Sequence, residues 1–251
     1  MKKRLFGLIG FPLTHSFSKK YFTEKFKDLG LSETHEYELF EMEDSTHFLQ
    51  LFKENPDLDG VNITIPHKQS VFDYLDDLDY SAKNVGAVNV VKKEGNRLIG
   101  YNSDFYGFQR SLTEFVGTSR LSEIKKALIL GNGGAAKAIL AALRDLDIEV
   151  QLVSRKKSDL AVDYKESDDL IDSHQLIINC TPLGTYPKED TFPPINYSKL
   201  NSNHFLFDLV YNPSETLFLS KGKEKGASIK NGYDMLVYQA EKSWEIWNET
   251  K

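Results

Sequence analysis

The segment LILGNGGAAKA, Leu128 to Ala138, constrains this chain more than any other. Apolar residues end a buried strand, Gly131 and Gly133 follow at once, and a run of good helix formers starts at Ala135. A strand that turns through glycines straight into a helix leaves the helix N-terminus open. Its first backbone N–H groups have no partner there, and the positive end of the dipole is exposed. Small residues let a pyrophosphate approach that end closely, and Ala136 takes the third place of G-x-G-x-x-G/A. Gly131, Gly133, Gly134 and Ala135 are therefore candidate cofactor contacts. The strand–loop–helix context lifts the motif above a bare glycine pattern. The plainer alternative is a tight turn that holds no ligand.

The next strand, Glu149–Ser154, runs into Arg155, Lys156 and Lys157. A site for NAD places an acid at this turn to accept from the ribose 2′-hydroxyl. Cations there favour a 2′-phosphate, so NADP(H) is the expected cofactor and Ser154, Arg155 and Lys156 its candidate contacts. Guanidinium geometry suits phosphate, which makes Arg155 the strongest of the three. Lys157 reads better as a solvated charge.

Strand and helix patterns alternate on both sides of this loop. Strands are expected at Arg4–Ile9, Glu36–Phe40, Gly60–Ile65, Ala127–Leu130, Gln175–Cys180 and His204–Val210. Helices are expected at Lys19–Leu29, Asp44–Lys53, from Gln69, at Ala135–Leu146 and from Tyr233 to about Asn248. Glu94-Gly95-Asn96 marks a hairpin between Val88–Val91 and Arg97–Gly100. Such alternation implies α/β layers with largely parallel sheets. A domain boundary is expected near Asp104–Arg110.

A net charge of −6 over 251 residues argues against a nucleic-acid partner. No run approaches the length of a membrane span. The opening MKKRLFGLIGFPLT imitates a signal peptide, but Gly7, Gly10 and Pro12 interrupt it and no cleavage site follows. With a single cysteine, Cys180, no internal disulfide forms, and the six histidines show no paired metal-ligand spacing, so no metal is expected. A cytoplasmic protein is the expectation, as a monomer or homodimer.

Seven motifs then occur in order: GFPLTHSFS (Gly10–Ser18), GVNITIPHK (Gly60–Lys68), VGAVNV (Val85–Val90), GYNSDFYGF (Gly100–Phe108), NCTPLG (Asn179–Gly184), DLVYNPSET (Asp208–Thr216) and NGYDMLVYQA (Asn231–Ala240). This ordered set, spread over nearly the whole chain, resembles the shikimate dehydrogenase family. The resemblance implies an N-terminal α/β substrate domain, 1–104 with the C-terminal helix 234–251. A Rossmann-like, doubly wound parallel sheet NADP-binding domain, 105–233, completes it. The implied reaction is the reversible NADP-linked reduction of 3-dehydroshikimate to shikimate, a step of chorismate and aromatic amino-acid biosynthesis.

By the same resemblance Lys68 is the catalytic lysine and Asp104 its carboxylate partner. Hydride reaching a carbonyl carbon makes an alkoxide, which needs a proton and a positive charge nearby. Which of the two moves the proton stays open. Ser16 and Ser18 are implied to hold the substrate carboxylate, with Tyr211 beside it. Thr64, Asn89 and Gln239 would bond the ring hydroxyls, using the donor and acceptor groups a polyol requires. Thr181, Gly232 and Met235 are implied cofactor neighbours. The chain departs from the family at Lys19–Thr23, at Ser154-Arg155-Lys156, at Asn132, and at Val90 and Ser103, which replace threonines. Two rivals remain: an NAD-preferring quinate/shikimate dehydrogenase, and a non-catalytic metabolite sensor of the same fold. The cations after Ser154 count against the first, and retention of Lys68 and Asp104 against the second.

Overall fold

The computed structural model describes residues 3–13 and 16–249. Thr14 and His15 of the GFPLTHSFS motif lie outside the described residues. The chain divides into two compact units. One runs up to Ser103 and resumes at Gln239; the other is Asp104–Tyr238.

The first unit contains β1 (Arg4–Gly10), α1 (Phe17–Asp28), β2 (His35–Glu41), α2 (Phe48–Glu54), β3 (Leu58–Ile63), β4 (Asp77–Leu78), α3 (Tyr80–Val85), β5 (Val90–Glu94) and β6 (Arg97–Tyr101). Its described strands form one sheet of order β2-β1-β3-β5-β6-β4. β1 lies between β2 and β3, parallel to both, so its central residues are buried on both faces instead of alternating. β5 and β6 make the expected antiparallel hairpin, and Gly95 supplies the positive φ at its turn.

The second unit follows through α4 (Ser103–Val116), α5 (Thr118–Leu121), β7 (Lys126–Leu130), α6 (Gly134–Asp145), β8 (Glu149–Ser154), β9 (Ala161–Asp163), α7 (Tyr164–Ser167), β10 (Leu176–Asn179), β11 (Phe205–Asp208), α8 (Leu217–Glu224) and β12 (Ser228–Lys230). Helix α9 (Tyr233–Asn248) comes next. Every described pairing in this sheet is parallel, in the order β12-β11-β10-β7-β8-β9. β7 is thus central, and the chain reverses its direction of winding between β7 and β10. Ligands bind at such a switch point, beyond the carboxyl ends of the strands.

The aromatic content of α9 has a packing cause. Trp247 stacks on Phe6 with ring centroids 4.8 Å apart, and its indole N–H donates to the Val91 carbonyl at 3.1 Å. Gly60 on β3 makes room for it, since a Cβ there would sit 2.3 Å from the indole nitrogen. Phe22, Tyr37, Ala240 and Ile246 complete this core around the ring. Each large side chain buried this way contributes roughly 1.5–3 kcal/mol.

Two expectations fail. The strand at Gly60–Ile65 stops at Ile63, because the Thr64 carbonyl turns to accept the His67 N–H at 2.9 Å. No helix starts at Gln69: residues 65–71 are turns, and a short 3₁₀ turn spans Phe72–Tyr74. The two units divide between Ser103 and Asp104, at the start of α4 and at the edge of the expected boundary. Among the described residues no helix is long and apolar enough to cross a membrane.

Candidate active site

In the first unit the polar candidates stand at the ends of strands and helices. Ser16 is the N-cap of α1, and its Oγ accepts the Lys19 N–H at 3.1 Å. A hydroxyl that accepts keeps its own proton to give, and an anion placed there meets the positive end of the helix. Ser18 follows in the first turn of α1. Helix α1 therefore starts two residues before the expected Lys19, and Lys19 itself is tied to Glu38 at 2.7 Å.

Thr64 and Lys68 occupy the turn after β3. Two bonds fix that turn. The buried His67 places Nε2 at 2.5 Å from the Met42 carbonyl, and the Lys68 carbonyl accepts the Val88 N–H at 2.8 Å. So Lys68, half-buried, rises from an anchored backbone although it lies in no regular element. Asn89, just before β5, clamps Ser103: its Oδ1 accepts the Ser103 N–H at 2.6 Å and its Nδ2 donates to Ser103 Oγ at 3.1 Å. Asp104 is the next residue in the chain. Gln239 on α9 accepts from Ser103 Oγ at 3.4 Å.

The second unit holds a pocket of about 460 Å³ at the switch point. Gly133, Gly134 and Ala135 line it from the start of α6, Thr181 from the loop after β10, and Leu209 to Asn212 from the loop after β11. Gly131 has φ +105°, and a Cβ there would press on Thr181 and Cys180, so the fold itself demands glycine. At Gly133 and Gly134 a Cβ would meet nothing within 4 Å. Protein packing does not require glycine at either place; its absence of side chain keeps the pocket clear. The α6 N-cap is Gly133, with no side-chain cap, so the first N–H groups of a 12-residue helix are left to a ligand. These features fit the diphosphate of a dinucleotide.

Ser154, Arg155 and Lys156 lie beside this loop, since Gly131 N–H donates to the Val153 carbonyl at 2.7 Å. Ser154 is buried and spends its hydroxyl on the Lys156 carbonyl at 2.5 Å, which shapes the turn, while Arg155 and Lys156 are exposed. Lys157 pairs with Glu166. Tyr211 lines the pocket at 45% exposure, so it is no packed core tyrosine. Gly232 is set by packing: a Cβ would lie 2.2 Å from the carbonyl oxygen of Leu209, a pocket residue. Met235, in the first turn of α9, is half-buried.

Pattern reading missed the support beneath this pocket. Asp208, fully buried, accepts from Asn179 Nδ2 at 2.9 Å, Val210 N–H at 3.0 Å and Thr216 Oγ1 at 2.6 Å. Asn179 Oδ1 in turn accepts from Thr181 N–H at 3.0 Å and Thr181 Oγ1 at 2.6 Å. The Thr181 hydroxyl has spent its proton and can only accept from a ligand. A polar residue at the last place of an otherwise buried strand, LIIN and FLFD, was the available signal. Burial and the Asp208 carboxylate push the Cys180 thiol up, so it stays protonated near neutral pH and is no nucleophile.

Strand order, open helix end and glycine-lined pocket define the second unit as a Rossmann-like dinucleotide-binding fold. Residues 8–91 match the family model for the shikimate dehydrogenase substrate binding domain. A shikimate dehydrogenase (NADP⁺) of Clostridium beijerinckii is 40% identical, over 97% of this chain and 92% of its own. The Listeria monocytogenes shikimate 5-dehydrogenase, solved with shikimate and NAD, is similar with a TM-score of 0.86 at 30% identity, covering 99% of this chain and 93% of that one. The Thermus thermophilus enzyme, solved with NADP(H) and shikimate, gives 0.81 at 28% identity, covering 98% and 93%. The chain belongs to the shikimate dehydrogenase family.

Proposed function

We propose that this protein catalyses the reversible NADPH-dependent reduction of 3-dehydroshikimate to shikimate. The observation that carries the reading is the full-length kinship with an NADP⁺-named relative at 40% identity. The glycine-lined pocket beside a cationic turn supports it. The first unit binds the substrate and the second the dinucleotide. NADPH supplies the hydride. Lys68 gives the forming alkoxide positive charge and a proton source, and Asp104 is its carboxylate partner. Ser16 and Ser18 bind the substrate carboxylate, with Tyr211 near it, and Thr64, Asn89 and Gln239 bind ring hydroxyls. Gly131, Gly133, Gly134, Ala135, Ser154, Arg155, Lys156, Thr181, Gly232 and Met235 contact the cofactor. We place the protein in the cytoplasm, acting as a monomer or homodimer with no nucleic-acid partner.

The test is NADPH oxidation by purified protein on adding 3-dehydroshikimate, run beside NADH at equal substrate. Absence of oxidation with either cofactor overturns the function; a strong preference for NADH overturns the cofactor. Arg155→Ala is expected to raise KM for NADPH about tenfold and leave KM for NADH unchanged, the worth of one charge-assisted phosphate bond. An equal effect on both would remove Arg155 from 2′-phosphate recognition.

A further inference from the structure

A continuous run of hydrogen bonds crosses the first unit and ends on two of the proposed substrate residues, Asn89 and Gln239. It starts at Tyr37 on β2, whose ring is packed in the core. Tyr37 Oη donates to Asn62 Oδ1 on β3 at 2.8 Å. Asn62 Nδ2 donates to Ser243 Oγ on α9 at 2.9 Å and to the Asn89 carbonyl at 3.3 Å. Ser243 Oγ lies 2.8 Å from the Gln239 carbonyl and 3.3 Å from Ser103 Oγ. Ser103 closes the run on the side chains of Asn89 and Gln239.

Proton counting gives this run a direction. A carbonyl oxygen has no proton, so the Tyr37 hydroxyl must donate to Asn62. That turns Asn62 Oδ1 toward β2 and spends its two N–H groups on Ser243 of α9 and on the Asn89 carbonyl before β5. Tyr37 is 3% exposed, and Ser103 and Ser243 are 0% exposed, so the run depends on protein partners alone. Volume does not explain these hydroxyls. Phenylalanine and alanine would fill the same sites without the cost of desolvating an O–H group.

We propose that Tyr37 and Ser243 are positioning residues for substrate. They lock the Asn62 amide from its two ends and, through Ser103, set the side chains of Asn89 and Gln239. Residues from three separate elements are thereby held as one preset group, which lowers the ordering cost of binding. The proposal rests on the substrate reading given above.

Steady-state kinetics of Tyr37→Phe, Ser243→Ala and the double variant test it. Each single change is expected to raise KM for 3-dehydroshikimate about five- to tenfold, with kcat falling by less and KM for NADPH unmoved. The double variant should fall well short of the product of the singles, because both act on one amide. A purely structural role would lower Tm and leave KM of the folded enzyme unchanged, and that result overturns the proposal, as do singles whose effects multiply. Should Tyr37→Phe fail to fold, Ser243→Ala decides by the same KM criterion. An inactive wild type sinks the functional reading and this proposal with it; an active wild type whose variants keep their KM sinks this proposal alone.

Discussion

Replacing Lys68 by alanine is expected to lower kcat for 3-dehydroshikimate reduction by about 10²–10⁴-fold, the range of a lost general acid, while KM for the substrate changes modestly. The expectation follows from where the residue stands. Its carbonyl is held by Val88 and the turn before it by His67, so both anchors survive truncation of the side chain. What disappears is an ammonium, the one group of Lys68 able to neutralise an alkoxide and supply its proton. Charge that develops only in the transition state makes no demand on the ground state, so kcat and kcat/KM should fall together. Single-wavelength NADPH kinetics and a Tm measurement on the same preparation check this. Near-normal kcat in a folded variant would remove Lys68 from the mechanism.

The two sheets were legible because their strands obey simple rules. β7 and β10 are nearly continuous apolar runs, as strands buried on both faces must be, and the Glu94-Gly95-Asn96 turn announces its hairpin. The cofactor loop was legible for a related reason: Gly133 and Gly134 answer to no protein neighbour, so their smallness points outward. The turn after β3 was not. It follows from a backbone bond between Thr64 and His67 and from a buried histidine reaching Met42, neither of which has a local pattern. The polar supports were less visible still. Asn62 and Ser243 are 181 positions apart, and an alternation rule says nothing about which serine an asparagine will meet. The same holds for Asp208, which the expected strand His204–Val210 kept in its interior, with no sign of the three donors that converge on it.

Asp208 yields the second large effect, on stability. Burial pushes its carboxyl up from 3.8 to about 6, against three donors that favour the charge. The sign follows from linkage. The folded state holds this proton more tightly than the unfolded chain, so the contribution is fully present below about pH 4. It is lost as pH rises through about 6. The step is worth about 3 kcal/mol. Other groups titrate in the same window, so the informative quantity is the difference between wild type and Asp208→Asn. Asparagine can keep Oδ1 as acceptor for Asn179 and Val210 and turn its Nδ2 to Thr216 Oγ1, leaving Asn179 and Thr181 in place. Chemical denaturation at pH 4 and pH 7 should then show the variant gaining about 2 kcal/mol on the wild type between the two values, most of the full step. An unchanged difference would mean that Asp208 titrates alike in both states, and that its charge is carried under the pocket without cost. A gain of the expected size would mean that the Asp208–Asn179–Thr181 ladder is kept for the alignment of the two pocket loops, since near neutral pH its acid weakens the fold that holds it.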